Sequence, residues 1–464
     1  MTRTATLAAI RFGTGLAPRL PPPDGPTALL AGLSGPDRAV TDFPVQSFAG
    51  HLAGARQYAV LNAARRKATA GAEDALKLAV KARNHTIQAD LRASLARTAF
   101  GPSGLRERLV LFWANFFTAV GRDPQFRGAV PAYIDDAIRP NLTGNFATLL
   151  RATTLHPVML HYLNQNVSAG PNSPAARAGR QGLNENLARE VLELHALGSD
   201  GRYTQADVEA LARLLTGASF NLDTGFMFRR LMAEPGPVTI LGRSYGSATG
   251  RPELARIEAA LDDLGHHPDT ARHVARSLAA HFVADTPDPA LVAHLETRFL
   301  QTGGALMPMY EALLEHPAAW QPALQKVRPP FDYVAAALRA LDLDPAWLLG
   351  MKPAESVTLL ANPLRFMGQP FQEPPSPKGW PAAAADWISP QGLAARIQWA
   401  MAAPRLLLAP PPGTQARAQN DPRLLVEAAL ADAADPGLVR AAAGAETRWD
   451  GVGIILASPA FNRR

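Results

Sequence analysis

Cysteine is missing from all 464 residues. That absence excludes disulfides, thiolate metal sites and cysteine nucleophiles, and it leaves the redox compartment open. Long apolar runs are missing as well. No window approaches the roughly 18 to 20 uninterrupted apolar residues of a membrane span, so none is expected. In the opening stretch MTRTATLAAIRFGTGLAPRL, Arg11 interrupts the apolar run before it reaches the length of a signal-peptide core. With no cleavable export signal visible, the cytoplasm is the default expectation and export to the envelope the alternative. Lysine is scarce, at positions 67, 77, 81, 326, 352 and 378 only, so the formal charge of +6 rests mostly on arginine. The densest basic run, Arg65-Arg66-Lys67, is short and soon followed by Glu73 and Asp74. No nucleic-acid partner is expected from such a pattern. A Walker-type glycine loop, a Gly-x-Ser-x-Gly elbow and a His-Glu-x-x-His pair are all absent, so the familiar nucleotide and hydrolase signatures fail.

What is present is ordinary for a folded globule: 47% hydrophobic and 19% charged residues. Ala, Leu and Arg recur at three- and four-residue spacing through 44–98, 103–119, 182–197, 204–216, 251–284, 288–301, 331–342 and 390–404. This spacing predicts an all-α fold, a large multi-helix assembly. The exception is a pair of short runs, 225–229 and 237–242, separated by a Pro/Gly turn, which read as one β-hairpin near 225–242. Residues 167–182, 372–386 and 409–422 read as long loops, which in compact proteins are often functional. The chain is expected to be a single domain over 1–464, with an N-terminal lobe 1–165 and a C-terminal lobe 182–464 joined by the 166–181 loop. Thr204 followed by Asp207 reads as a capping box, so 182–217 becomes two helices joined by a tight turn.

The most polar helix runs Gly182-Leu183-Asn184-Glu185-Asn186-Leu187-Ala188-Arg189-Glu190-Val191-Leu192-Glu193-Leu194-His195. Residues 183, 187, 191, 194 and 197 form an apolar stripe. Glu185 with Arg189, Asn186 with Glu190, and Arg189 with Glu193 stand four apart on the other face. One reading is a solvated face of ordinary surface pairs. The other is a polar cleft in which Glu190 and Glu193 do acid/base work. His195 lies about 200° round the helix from Glu193, away from any site the two carboxylates would share. No histidine is assigned to a metal, and no cofactor is identified. Trp113 and Trp380 are either core residues or stacking platforms.

Phe112-Trp113-Ala114-Asn115-Phe116-Phe117, the Asn184-Glu185-Asn186-x-x-Arg189-Glu190 helix, Glu193-Leu194-His195-Ala196-Leu197-Gly198 and Tyr203-Thr204 together resemble the domain of unknown function 1800 family. The resemblance extends from Arg11-Phe12-Gly13 through Gly379-Trp380-Pro381 to Ala460-Phe461-Asn462. Family members are bacterial, many are exported, and their genes lie beside a sulfatase-like family. No activity follows from membership. The family tends to read Trp-His-Asn-His-Phe where this chain has Trp113-Ala114-Asn115-Phe116-Phe117, so both histidines are replaced. The resemblance implies that Asn184, Glu185, Asn186, Arg189, Glu190, Glu193, His195, Trp113, Asn115, Tyr203 and Trp380 belong to a polar network or cleft. Arg189 is then either a buried hub tying loops 166–182 and 198–203 together or a wall of a binding site. Two functions remain open: a non-catalytic binding or assembly partner of a sulfatase-like neighbour protein, or a hydrolytic enzyme acting on an envelope polymer.

Overall fold

The structure, a computed structural model, describes residues 2–18, 20–179, 182–246, 250–408 and 421–464. Most of the loop expected at 409–422 lies outside them; its last residue, Pro422, opens the helix Pro422–Leu430. The chain is mostly helical, and the helix ends follow side-chain chemistry. The long run predicted over 44–98 is two helices, Phe48–Arg66 and Ala72–Phe100, parted where Gly71 takes a φ of 74°. The run over 251–284 is likewise two, Leu254–Gly265 and Pro268–Phe282. Pro268 lacks the N–H that a continuous helix would need, and the His267 side chain accepts from the Asp269 amide instead. The Thr204–Asp207 capping box opens the helix Gln205–Leu215.

The expected hairpin across 225–242 is two hairpins. β1 (Ala218–Asn221) pairs antiparallel with β2 (Gly225–Phe228), and β3 (Val238–Ile240) with β4 (Arg243–Tyr245). Each run turns back on a nearer neighbour because a tighter turn lies closer in sequence. Leu241 and Gly242, both at positive φ, make the two-residue turn between β3 and β4. Asn221 Oδ1 accepts from the amides of Asp223 and Thr224 to close the turn before β2.

Apolar side chains gather into two large clusters. The first surrounds Trp113, Phe117 and Phe146 and extends to Ala319; the second surrounds Tyr333, Trp399 and Val452 and borrows Leu91 and Leu95 from the helix Ala72–Phe100. Fully burying one such Leu or Phe side chain contributes about 1.5–3 kcal/mol. Leu163 and Leu187, on either side of the 166–181 loop, lie in the same cluster. Apolar packing therefore does not divide at that loop; the clusters part between Ala319 and Tyr333. The segment that crosses this junction, Lys326–Asp332, is pinned to the chain's last residues. Arg328 N donates to Asn462 O at 2.9 Å and Arg464 N to Lys326 O at 2.9 Å.

Candidate functional site

A cleft of about 200 Å³ opens at this junction, between the helix Gly104–Phe116, segment 326–332 and the 369–382 loop. Its floor is ionic. Arg108 grips Asp332 with both ends of its fork, Nη1 to Oδ2 at 2.8 Å and Nη2 to Oδ1 at 2.9 Å, and also donates twice to Gly13 O. Asp332 has two further guanidinium neighbours, Arg464 Nε at 3.4 Å and Arg328 Nη1 at 3.6 Å. All four side chains are nearly sealed from solvent, 1–3% exposed. A fourth cation, Lys326, donates to Asp285 and to Ala382 O at 2.5 Å.

Burial alone would push the Asp332 carboxyl up, but Arg108, Arg328 and Arg464 reverse this and hold it at about 2. Burial and the neighbouring Arg108 lower Arg464 to about 9, which still leaves its guanidinium charged at neutral pH. Burial depresses Lys326 too, although its pair with Asp285 opposes the effect. Of the lining residues, Arg464 Nε and His281 Nε2 are buried without a hydrogen-bond partner, as is Nη1 of Arg328 outside the lining. The cleft's other lining carboxylate, Glu107, is forked by Arg139 at 2.6 and 2.9 Å.

The walls are apolar. Phe331 and Phe371 stack at 6.1 Å, and Trp380 and Pro374 complete the rim. Asn115 fixes the Trp380 loop from both directions: its Nδ2 donates to Trp380 O at 3.0 Å and its Oδ1 accepts from Trp380 N at 2.7 Å. Gly379, at φ 76°, makes that approach sterically feasible, since a Cβ there would stand 2.5 Å from Asn115 Oδ1.

The predicted site residues separate into three places. Asn115 and Trp380 belong to the cleft. Trp113 and His195 are core: Trp113 Nε1 donates to the buried Tyr310 hydroxyl at 2.7 Å, and His195 packs 5.2 Å from Phe117 with neither ring nitrogen partnered. Burial and the nearby His273 push His195 down to about 3. Asn186, Arg189, Glu190 and Glu193 lie on a surface helix, Asn186–Glu190, continued as a π-turn through His195, with Asn184 and Glu185 just before it and Tyr203 just ahead of the helix Gln205–Leu215. Asn184, one residue before the Glu185 N-cap, accepts from Asn186 N at 2.9 Å while donating to Leu163 O at 3.1 Å and Asn164 O at 3.3 Å. Arg189 is 44% exposed and pairs with Glu185 at 3.0 Å and Gln205 at 3.1 Å. The internal hub expected at Arg189 is therefore at the surface, because the apolar stripe turns the other face of the helix inward. Glu190 and Glu193 do converge with Tyr203: burial and then Glu193 raise the Glu190 carboxyl, and burial and then Glu193 raise the Tyr203 hydroxyl.

Of the two positions where the family resemblance calls for histidine, Ala114 lines the cleft and Phe116 packs 5.3 Å from His273. Among the described residues no group of three or more His, Asp or Glu side chains could hold a metal, and no helix is long and apolar enough to cross a membrane. Sequence reasoning missed Arg108, Lys326, Arg328, Asp332 and Arg464. One signal was present: Arg108 falls on the apolar stripe of Leu105, Leu109 and Phe112, where a charge must be paired.

A helical fold with a guanidinium-floored, aromatic-walled cleft defines a class of protein rather than a reaction. The family described as "Protein of unknown function (DUF1800)" matches residues 22–463, and the chain belongs to that family. No curated protein and no solved structure matches it.

Proposed function

We propose that the chain is a non-catalytic binding or assembly protein that uses the Arg108–Asp332 cleft for recognition, with a sulfatase-like neighbour protein as its partner. One observation carries the reading. The two carboxylates lining the cleft, Glu107 and Asp332, are both forked by arginines, leaving neither free for acid/base work, and Arg108, Lys326 and Arg464 line the cavity beside them. Clefts with apolar walls and a few convergent polar groups are the usual form of a recognition site. The partner's identity rests on the resemblance to family members encoded beside such proteins. Light scattering of the purified chain with the neighbouring sulfatase-like protein tests it. A complex is expected, and Ala114→Trp, which fills the cleft from the helix Gly104–Phe116, should weaken it at least tenfold. Absence of any complex, or an unchanged complex with the filled cleft, rejects the reading.

A second reading, hydrolysis of an envelope polymer, draws support from Glu190. A carboxyl raised by burial and then by a neighbouring carboxylate has the electrostatics of a general acid beside a base. If that reading holds, the chain releases soluble fragments from purified envelope polysaccharide and Glu190→Gln abolishes the release without changing the melting temperature.

A further inference from the structure

We propose that the cleft floor is an oxyanion-binding site, which takes the carboxylate or phosphate of a small ligand while Phe331, Phe371 and Trp380 hold that ligand's apolar or ring-shaped body. The inference deepens the binding reading above and rests on it. Counting charges carries the first step. Arg108, Arg328, Arg464 and Lys326 meet at the junction, and their acidic partners there are Asp332 and Asp285. The α-carboxylate of Arg464, whose oxygen accepts from Lys326 N at 3.2 Å, is a third acidic group, so four cations face three carboxylates, a surplus of one positive charge. Buried charge is tolerated when paired and hydrogen-bonded, and a surplus of one sign on a cavity floor favours a ligand of the other.

Hydrogen bonding supplies the second step, independently of charge. Arg464 and Asp332 both line the cleft, and Arg464 keeps Nε buried without a hydrogen-bond acceptor; its 3.4 Å approach to Asp332 is an ion-pair distance only. His281, on the same lining, likewise has Nε2 buried and unpartnered. An oxyanion beside Arg464 and Lys326 would give Arg464 Nε the acceptor it lacks, with neutral His281 adding a donor in its Nε2–H tautomer, and arginine's planar fork suits carboxylate and phosphate equally. The third step is shape. The stacked pair Phe331 and Phe371 lines the cleft together with Trp380, whose backbone N and O are held by Asn115, and these rings give it an apolar wall. A bare inorganic anion would satisfy the floor and leave those walls without a contact.

Calorimetric titration of the full chain with benzoate, phenyl phosphate, inorganic phosphate and neutral benzamide tests the inference. Benzoate or phenyl phosphate should bind at least tenfold more tightly than benzamide, with binding weakened by added salt, and the better of the two identifies the oxyanion. Inorganic phosphate should bind more weakly than phenyl phosphate, and Phe371→Ala should erase that difference. Lys326→Met, which leaves only the partly exposed Asp285 without its cation, should weaken the anions at least tenfold and benzamide by less than twofold. Benzamide binding as tightly as benzoate would overturn the oxyanion inference while leaving the cleft as a recognition site. Failure of every probe would also overturn it, and the binding reading would then be judged by the Ala114→Trp complex alone. Should Lys326→Met fold poorly, Arg464→Gln carries the same expectation.

Discussion

Two arginine–carboxylate pairs in this molecule look alike as chemistry and differ in everything else. Arg108 and Asp332 lie 224 residues apart in sequence and meet in the interior, where both are nearly sealed. Arg189 and Glu185 are four residues apart on a surface helix, 44% and 34% exposed. In the first, low dielectric amplifies both attraction and the cost of an unpaired partner; in the second, water screens both. A motif that stands out in sequence is therefore a poor guide to where charge matters, because local spacing reports helix-surface neighbours while the interior pair depends on tertiary folding.

The largest expected effect comes from breaking the interior pair. Arg108→Ala removes the fork on Asp332 and two donors to Gly13 O, joining the N-terminal segment to the cleft floor. Losing one partner of a buried pair costs about 3–5 kcal/mol. Differential scanning calorimetry should show the melting temperature fall by at least about 5 °C, using the 2–4 °C per kcal/mol of larger domains. A smaller fall would mean that Arg328 and Arg464 already suffice to hold Asp332.

Acid separates the buried histidines from the buried Asp332 carboxylate by pH window. His195 sits neutral in an apolar pocket with its pKa at about 3, and burial, then Arg464, Arg108 and Lys326, push His281 far down as well. Between the unfolded value near 6.5 and these lowered values, the unfolded chain binds more protons than the folded one, so stability is lost as pH falls below about 6.5. By pH 5 His195 alone withdraws about 2 kcal/mol, and His281 adds to the loss. The Asp332 contribution is fully present above about pH 4 and disappears only as pH falls towards the folded value of about 2. Melting temperatures of the native chain should therefore decline from pH 7 to 5, and His195→Phe should flatten that decline. A native profile that stays level to pH 4.5 would contradict this assignment.

The all-helical class was legible because apolar spacing repeats over long stretches, and the Thr204 capping box because it depends on residues three apart. Short helices such as Phe146–Thr154, Leu306–Glu315 and Arg448–Ala457 escaped notice, since one to three turns offer too few repeats to establish a period. The pairing of the β-strands was misjudged because it turns on Leu241 adopting positive φ, which an ordinary leucine does not advertise. Of the candidate residues, Asn115 and Trp380 reached the cleft through the family resemblance. The floor itself stayed hidden: Arg108 takes its partner from segment 326–332 and its neighbours from the last residue of the chain, and no local pattern links those three places.

The smallest expected effect is the sharpest check on the contrast. Arg189→Ala leaves Glu185 with its Gln205 hydrogen bond at 2.9 Å and with water, so no carboxylate is stranded in the interior. An exposed pair of this spacing contributes about 0.3–0.5 kcal/mol, and the melting temperature should move by less than about 2 °C. Under the acid/base reading, Arg189 matters differently, because its charge opposes the burial and the Glu193 repulsion that raise the Glu190 carboxyl. Its removal should then raise that carboxyl further, which carboxyl-carbon NMR titration of Glu190 would report in the absence of any thermal shift. A melting loss above about 5 °C for Arg189→Ala would instead give the surface helix the structural weight assigned here to the cleft floor, and the contrast between the two regions would collapse.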